Sequence, residues 1–128
     1  MRRFSRVFGQ GKHSVEITFV VTAEGVIVEV LGGEKPHVGA VALGQPRPSL
    51  KDPGKISANV TVVPLLGHKD DEVAKPLADT LARHFNKPVV VVVGIHIDNA
   101  SEQDIEILLN NVDEGVRHLI EEIGKFPT

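Results

Sequence analysis

The segment 94–101 carries the side chains best suited to chemistry in this sequence. It reads Gly-Ile-His-Ile-Asp-Asn-Ala-Ser and follows directly on the apolar run 89–93. On a strand, His96 and Asp98 lie on the same face, so the pair can bind a divalent metal, or the carboxylate can fix the imidazole tautomer for proton transfer. The alternative is a histidine bonded to a backbone carbonyl beside an aspartate that forms a turn. Asn99 either joins this site or only supports the turn before the next helix.

Two earlier segments place basic side chains next to glycine or proline. Residues 32–37 contain Gly33, Lys35 and His37, and the paired glycines allow a ligand to approach the backbone closely. Arg47 stands between two prolines and could present its guanidinium to a phosphate or a carboxylate. The alternative for Arg47 is an ordinary residue of a surface turn.

A fourth segment, 67–71, leads into a predicted helix. Free N–H groups at a helix start favour an anion, so Lys69 there suits a phosphate, although a solvated loop is the alternative. His68 could also complete a metal set with His96 and Asp98, because mixed imidazole and carboxylate ligands suit zinc, manganese or iron.

The composition excludes several classes of function. The chain has 128 residues, no cysteine, no tyrosine, no tryptophan and a net charge of −3. Disulfides, thiol catalysis and the aromatic platforms of single-strand nucleic-acid binders are therefore ruled out. The sequence contains no P-loop, no dinucleotide-binding glycine pattern and no nucleophile elbow. With no signal-peptide pattern and no apolar run long enough to span a bilayer, a cytoplasmic protein is expected.

The elements that must position these residues are strands first and helices later. Alternation of apolar and polar residues predicts strands. They cover residues 14–22, 26–31, 37–43 and 56–63, with a short edge strand at 4–8 and an irregular, proline-rich segment at 44–54. Residues 89–97 are apolar at nearly every position, which predicts a central strand covered on both faces.

Two amphipathic helices complete the predicted fold. Val73, Leu77, Leu81 and Phe85 recur every fourth residue, and Pro76 implies either a kink or a start near residue 75. A second stripe follows a capping-box pattern at 101–104 and runs to the end of the chain. We therefore expect one compact α+β domain over residues 1–128, with a five- to six-stranded, largely antiparallel sheet and two helices packed on it.

Taken in order, the motifs resemble the LpdD-like family of proteins associated with gallate decarboxylase and other UbiD-type decarboxylases. The resemblance covers roughly residues 13–123. It is carried by Gly-Gly-x-Lys-Pro-His-Val-Gly-Ala at 32–40, Pro-Arg-Pro-Ser at 46–49, Gly-His-Lys at 67–69 and the segment 94–101. The resemblance implies a homodimer with a fold like that of proteasome-assembly chaperones.

What the resemblance implies for function is a non-catalytic chaperone that carries prenylated flavin mononucleotide (FMN) to a UbiD-type decarboxylase. Lys69 and Arg47 would hold the phosphate, the histidines would contact the ring or a bridging divalent metal, and Phe, His or aliphatic side chains would pack on the ring. Two alternatives remain open, namely a small metal-dependent enzyme that uses His68, His96 and Asp98, and a structural assembly factor. The predicted cofactor-binding residues are Gly33, Lys35, His37, Arg47, His68, Lys69, His96, Asp98 and Asn99, and the predicted metal ligands are His68, His96 and Asp98.

Overall fold

The computed structural model describes residues 1–65 and 70–124. Its strands are β1 (Arg2–Phe8), β2 (Val15–Val21), β3 (Val26–Gly33), β4 (Ala40–Pro48), β5 (Ile56–Pro64) and β6 (Val89–His96), and its helices are α1 (Asp71–Phe85) and α2 (Glu102–Gly124). A short 3-10 helix, Gly11–His13, joins the first two strands. Each predicted strand and helix is present, with limits that differ from the expected ones by at most five residues.

The six strands form one mixed sheet in the order β1-β2-β3-β6-β4-β5. Neighbouring strands run antiparallel except for β3 and β6, which pair in parallel over Val26–Gly33 and Val89–His96. The largely antiparallel α+β fold is therefore confirmed. β6 lies between β3 and β4, so the last strand of the chain is central in the sheet.

Both helices pack on the same side of this sheet. α1 covers β4, β5 and β6, whereas α2 covers β1 and β2. The core between sheet and helices is built from alternate strand residues and the apolar stripes of both helices. Among its fully buried members are Ile17, Phe19, Val28, Val91, Leu81 and Leu119.

The prediction that the central strand is covered on both faces is wrong. Val89, Val91 and Val93 are buried under the helices, but Val90 and Val92 point to the other side of the sheet, where they are only partly buried. No described helix lies over that side. The apolar residues on both sides of β6 led to the error, because hydrophobicity alone does not say what covers a face.

The proline-rich segment is also more regular than predicted. β4 continues through Gly44 to Pro48, and Pro46 and Pro48 pair with Ala58 and Ile56 of β5. The β6 partners of β4 end at Gly44. Beyond that point β4 pairs only with β5, and a proline without an N–H is tolerated on a strand that has a free edge.

Helix α1 begins at Asp71, before the alternative start near residue 75, and contains Pro76 in its interior. Pro76 has no N–H for the carbonyl of Glu72, so the first turns of α1 lack one regular hydrogen bond. Helix α2 begins as predicted: the Ser101 Oγ accepts from the Asp104 N–H, and an Asp104 carboxylate oxygen accepts from the Ser101 N–H, both at 3.0 Å. No helix of the described chain is long and apolar enough to cross a membrane.

Candidate functional site

The glycine-containing end of β3 and the two residues that follow it contact the end of β6. The His96 carbonyl oxygen accepts hydrogen bonds from the N–H of Glu34, at 2.7 Å, and of Lys35, at 3.2 Å. Gly33, which pairs with His96, has a φ of +77°, and a Cβ there would collide with the His96 carbonyl. The close approach that Gly33 allows is therefore an approach of the chain to itself.

A buried carboxylate accepts the hydrogen bond of β6 that lies just beyond its pairing with β4. The β4–β6 pairing ends at Ala40 and Val93, so the next β6 donor on that side, the Ile95 N–H, has no strand partner. The Asp70 Oδ1 accepts from it at 3.1 Å, and Asp70 is only 8% exposed. Asp70 stands at the N-cap of α1, so this carboxylate joins the start of α1 to the end of β6.

The other oxygen of the same carboxylate contacts His37. The His37 Nε2 lies 3.0 Å from the Asp70 Oδ2, and the His37 Nδ1 lies 2.9 Å from the Lys35 carbonyl oxygen. A carbonyl can only accept, so Nδ1 carries a hydrogen. Nε2 then either donates to an ionised Asp70 or accepts from a protonated one. In both cases the pair shares one proton.

A second His–Asp pair lies beside the first. The His96 Nε2 is 2.9 Å from the Asp98 Oδ1, while the Lys35 ammonium donates to the same carboxylate at 3.0–3.1 Å. The Asp98 N–H donates to the Glu34 side chain at 3.0 Å. The hydrogen bonds from Lys35 and then from His96 hold the pKa of Asp98 below its usual value. The rings of His37 and His96 meet edge to face, with centroids 6.2 Å apart.

These contacts form one cluster, which we call the polar rim: Glu34, Lys35, His37, Asp70, His96 and Asp98. Its members come from the loop after β3, the start of α1 and the end of β6. Two His–Asp pairs and one lysine give it donors and acceptors on neighbouring side chains. The rim can therefore bind a polar group while holding its own geometry through internal hydrogen bonds.

An apolar pocket opens next to the polar rim, between the two helices. Because α1 and α2 cover opposite halves of the sheet, a gap remains at the end of β6, with a volume of about 480 Å³. This size is typical of small-molecule sites. The pocket is lined by Asp70, Glu72, Val73, Ile95, His96, Ile97, Ala100, Ile105, Leu108 and Leu109.

The structure brings together five of the predicted site residues: Gly33, Lys35, His37, His96 and Asp98. Asn99 follows in the turn before α2, in the left-handed conformation with φ of +53°. Arg47 is not brought to this cluster. It lies seven residues beyond Ala40 along β4, roughly 23 Å away at about 3.3 Å per residue, and donates to the Asn59 side chain and the Pro48 carbonyl.

The predicted metal set is not complete in the described part of the chain. His68 and Lys69 lie outside the described residues. Within residues 1–65 and 70–124, no group of three or more His, Cys, Asp or Glu residues is close enough to hold a metal ion. The ring nitrogen Nε2 of His96 is already bonded to Asp98, and a metal at that nitrogen would have to displace this bond. The metal set stays a prediction.

Sequence reasoning missed Asp70 and the apolar lining of the pocket. Asp70 has the position and type of an ordinary acidic residue at a helix start, and nothing local indicates its long-range bond to Ile95. Ile105 and Leu109 belong to the apolar stripe of α2, yet they are 49% and 46% exposed. The sequence did contain a signal for this lining. Ile105, Leu108 and Leu109 make the apolar stripe of α2 wide at this point, wider than packing on the sheet alone requires.

Comparison with solved structures supports the fold. A chain from the crystal structure of a chaperone complex for yeast 20S proteasome assembly superposes with a TM-score of 0.58 and 16% sequence identity, covering 97% of this chain and 95% of that one. At that identity the likeness concerns the fold alone. A search of curated proteins found no match.

Comparison with protein families identifies the family of the chain as well as its fold. The model of the prenylated flavin chaperone LpdD-like domain matches residues 9–124, which is most of the chain. The family is one of chaperones and not of catalytic enzymes, and this confirms the non-catalytic role that the motifs implied. The chain therefore belongs to the prenylated flavin chaperone LpdD-like family.

Proposed function

We propose that this protein is a cytoplasmic chaperone that binds prenylated FMN as cargo and supports the maturation of a UbiD-type decarboxylase. The observation that carries the proposal is the apolar pocket of about 480 Å³ beside a polar rim, in a chain of this family. A modified flavin has a large, mostly apolar ring system and a charged phosphate tail. A pocket that joins aliphatic walls to convergent polar groups suits such a ligand.

The polar rim suits the functional groups that surround a flavin ring. The His37 and His96 rings and the Lys35 ammonium lie together at its edge. The Lys35 ammonium is bonded to Asp98. Because the side chain is exposed, the ammonium can also contact an anion that approaches from the solvent. His68, Lys69 and Asn99 stay predicted contacts, whereas Arg47, at the far end of β4, lies too far from the polar rim to join them. A chaperone of this kind needs only to bind and release its cargo, so these groups need no acid–base cycle.

The proposal is tested by filling the pocket. Purified protein mixed with prenylated FMN and passed over a gel-filtration column is expected to carry the flavin absorbance with it. Ala100 lines the pocket and is exposed, so Ala100→Trp should place an indole in the ligand's space and weaken retention at least about tenfold. Ala23→Trp, in the exposed turn at the other end of the sheet, is the matched control and should bind like the parent.

Two results would contradict the proposal. Absence of flavin absorbance in the protein peak of the parent chain would rule out cargo binding. Equal retention by Ala100→Trp and by the parent would place the ligand elsewhere. Transfer of the retained cofactor to an apo-decarboxylase of the UbiD type, read as restored decarboxylation, tests the client separately.

We also propose that the protein acts as a homodimer formed through the uncovered side of the sheet, which we call the open sheet face. Val20, Ile27, Val90 and Leu43 form one apolar row across it. In the next row Val92 lies between Glu29 and Val41, with Val63 beyond Val41. Ile27 and Val63 are 47% and 57% exposed. Six strands about 4.8 Å apart and about 20 Å long have a face on the order of 500 Å². Two copies would therefore bury about 1,000 Å² in total, which is the lower limit for a specific interface.

Light scattering in solution tests the dimer. The parent chain is expected to have the mass of two chains. Val92→Glu should be monomeric because it places a second carboxylate beside Glu29 in the middle of this face. Thr80→Glu is the control, since Thr80 is an exposed residue of α1, away from the open sheet face. A monomeric parent, or a dimer unaffected by Val92→Glu in folded protein, would argue against this surface.

A further inference from the structure

The wall of the apolar pocket is hydrocarbon on three sides. Ile95 and Ile97 come from the end of β6, Val73 from α1, and Ile105, Leu108 and Leu109 from α2. Ile105 and Leu109 leave nearly half of their surface exposed at its mouth. These side chains offer no hydrogen bonds, so the polar edge of a flavin ring gains nothing against them. A saturated hydrocarbon group binds favourably there, because its apolar surface is removed from water.

The acidic and basic residues that the structure places in the pocket wall have one sign of charge. Asp70 and Glu72 line the pocket, and within residues 1–65 and 70–124 no lysine or arginine does. The one lysine of the polar rim, Lys35, extends to Asp98 in the exposed loop that follows β6. A phosphate among these described lining residues would face two carboxyl groups. The described wall therefore favours an uncharged group between the helices, with the anionic end of the ligand outside that space.

We infer that the space between α1 and α2 is a subsite for the isoprenoid-derived part of the flavin, and that it makes the protein select prenylated FMN over FMN itself. The inference rests on the proposed function and adds to it the orientation of the cargo and the residues that discriminate. Val73, Ile105 and Leu109 contact the added hydrocarbon, while the polar rim faces the polar part of the ring. A chaperone with this subsite binds FMN that has not been prenylated only weakly.

The selectivity can be measured by titrating the full chain with prenylated FMN and, separately, with FMN. Each buried methylene contributes about 0.8 kcal/mol, so three or four of them give a preference of roughly 100-fold for the prenylated form. Leu109→Gln keeps the length of the side chain but places an amide at the pocket wall. It should weaken prenylated FMN binding about tenfold and leave FMN binding unchanged. Leu109→Met should restore the preference, and Asn110→Gln, an exposed neighbour on α2, should not alter it.

The outcomes separate the subsite from the function that it rests on. Equal affinity of the parent chain for the two flavins overturns the subsite and leaves flavin binding intact. An equal loss for both flavins in Leu109→Gln also overturns it, because the pocket would then hold the common ring. Failure of the parent chain to bind either flavin overturns the proposed function together with the subsite.

Discussion

Asp70→Ala is expected to lower the free energy of unfolding by about 3 kcal/mol. The Asp70 carboxylate accepts from the Ile95 N–H and contacts the His37 Nε2, and it is nearly inaccessible to solvent. Alanine removes the acceptor of the Ile95 N–H and the Asp70 contact of His37, at a place where both residues are at least partly buried. The start of α1 also loses its connection to β6, so the wall of the apolar pocket should loosen with it.

Urea unfolding followed by circular dichroism gives the size of this loss. Asp70→Asn is the conservative comparison, because an amide oxygen can accept from Ile95 and the amide nitrogen can donate to a neutral His37; it should cost less than about 1 kcal/mol. Asp71→Ala, at the next position and without a hydrogen bond from Ile95, controls for the charge at the helix start. Faster hydrogen exchange at the Ile95 amide should accompany Asp70→Ala alone. If Asp70→Ala and Asp71→Ala cost the same, the bridging role of Asp70 is refuted.

Gly94→Ala is expected to be comparably damaging, at about 3 kcal/mol or more. A Cβ on Gly94 would overlap the carbonyl group of His37, whose backbone crosses β6 at this point. The obstacle is a fixed main-chain atom and not a flexible side chain. Either β6 or the segment around His37 must move, and both carry residues of the polar rim. The variant should therefore lose stability and cargo binding together.

Gly124→Ala provides the matched control, because a Cβ there meets no atom of the described residues within 4 Å and Gly124 lies in the last turn of α2. It should be neutral or slightly stabilising, since alanine favours the helix. Thermal unfolding and flavin retention of the two variants give the comparison. A Gly94→Ala protein as stable as Gly124→Ala would mean that His37 does not cross β6 so closely.

The fold was largely predictable because its strands follow a simple period. In β2 and β3 every second residue is apolar and buried, so the pattern gave both the strands and their inward face. The grouping of Lys35, His37, His96 and Asp98 was predictable as well. Parallel pairing of β3 with β6 brings the segments that follow these two strands to the same edge of the sheet.

The remaining parts depend on contacts that a linear pattern does not contain. Asp70 acquires its role only because β4 begins at Ala40 and so leaves the Ile95 N–H of β6 without a β4 partner, and no local sequence pattern indicates this. Arg47 was grouped with the other basic residues by its neighbouring prolines, yet strand β4 carries it to the far end of the sheet. The apolar residues of β6 predict burial, but they do not distinguish a helix of the same chain from another surface.

The central position of β6 has a consequence for the order in which the protein can assemble during synthesis. β1, β2 and β3 form one antiparallel meander and β4 with β5 forms a hairpin, and within the described sheet only β6 joins the two. Until residue 96 has left the ribosome, the inner edges of both pieces lack the strand that pairs with them. The sheet therefore closes late, through contacts between residues far apart in sequence, which are slow to form. A truncation before β6 should leave two unjoined units with open edges and a tendency to aggregate.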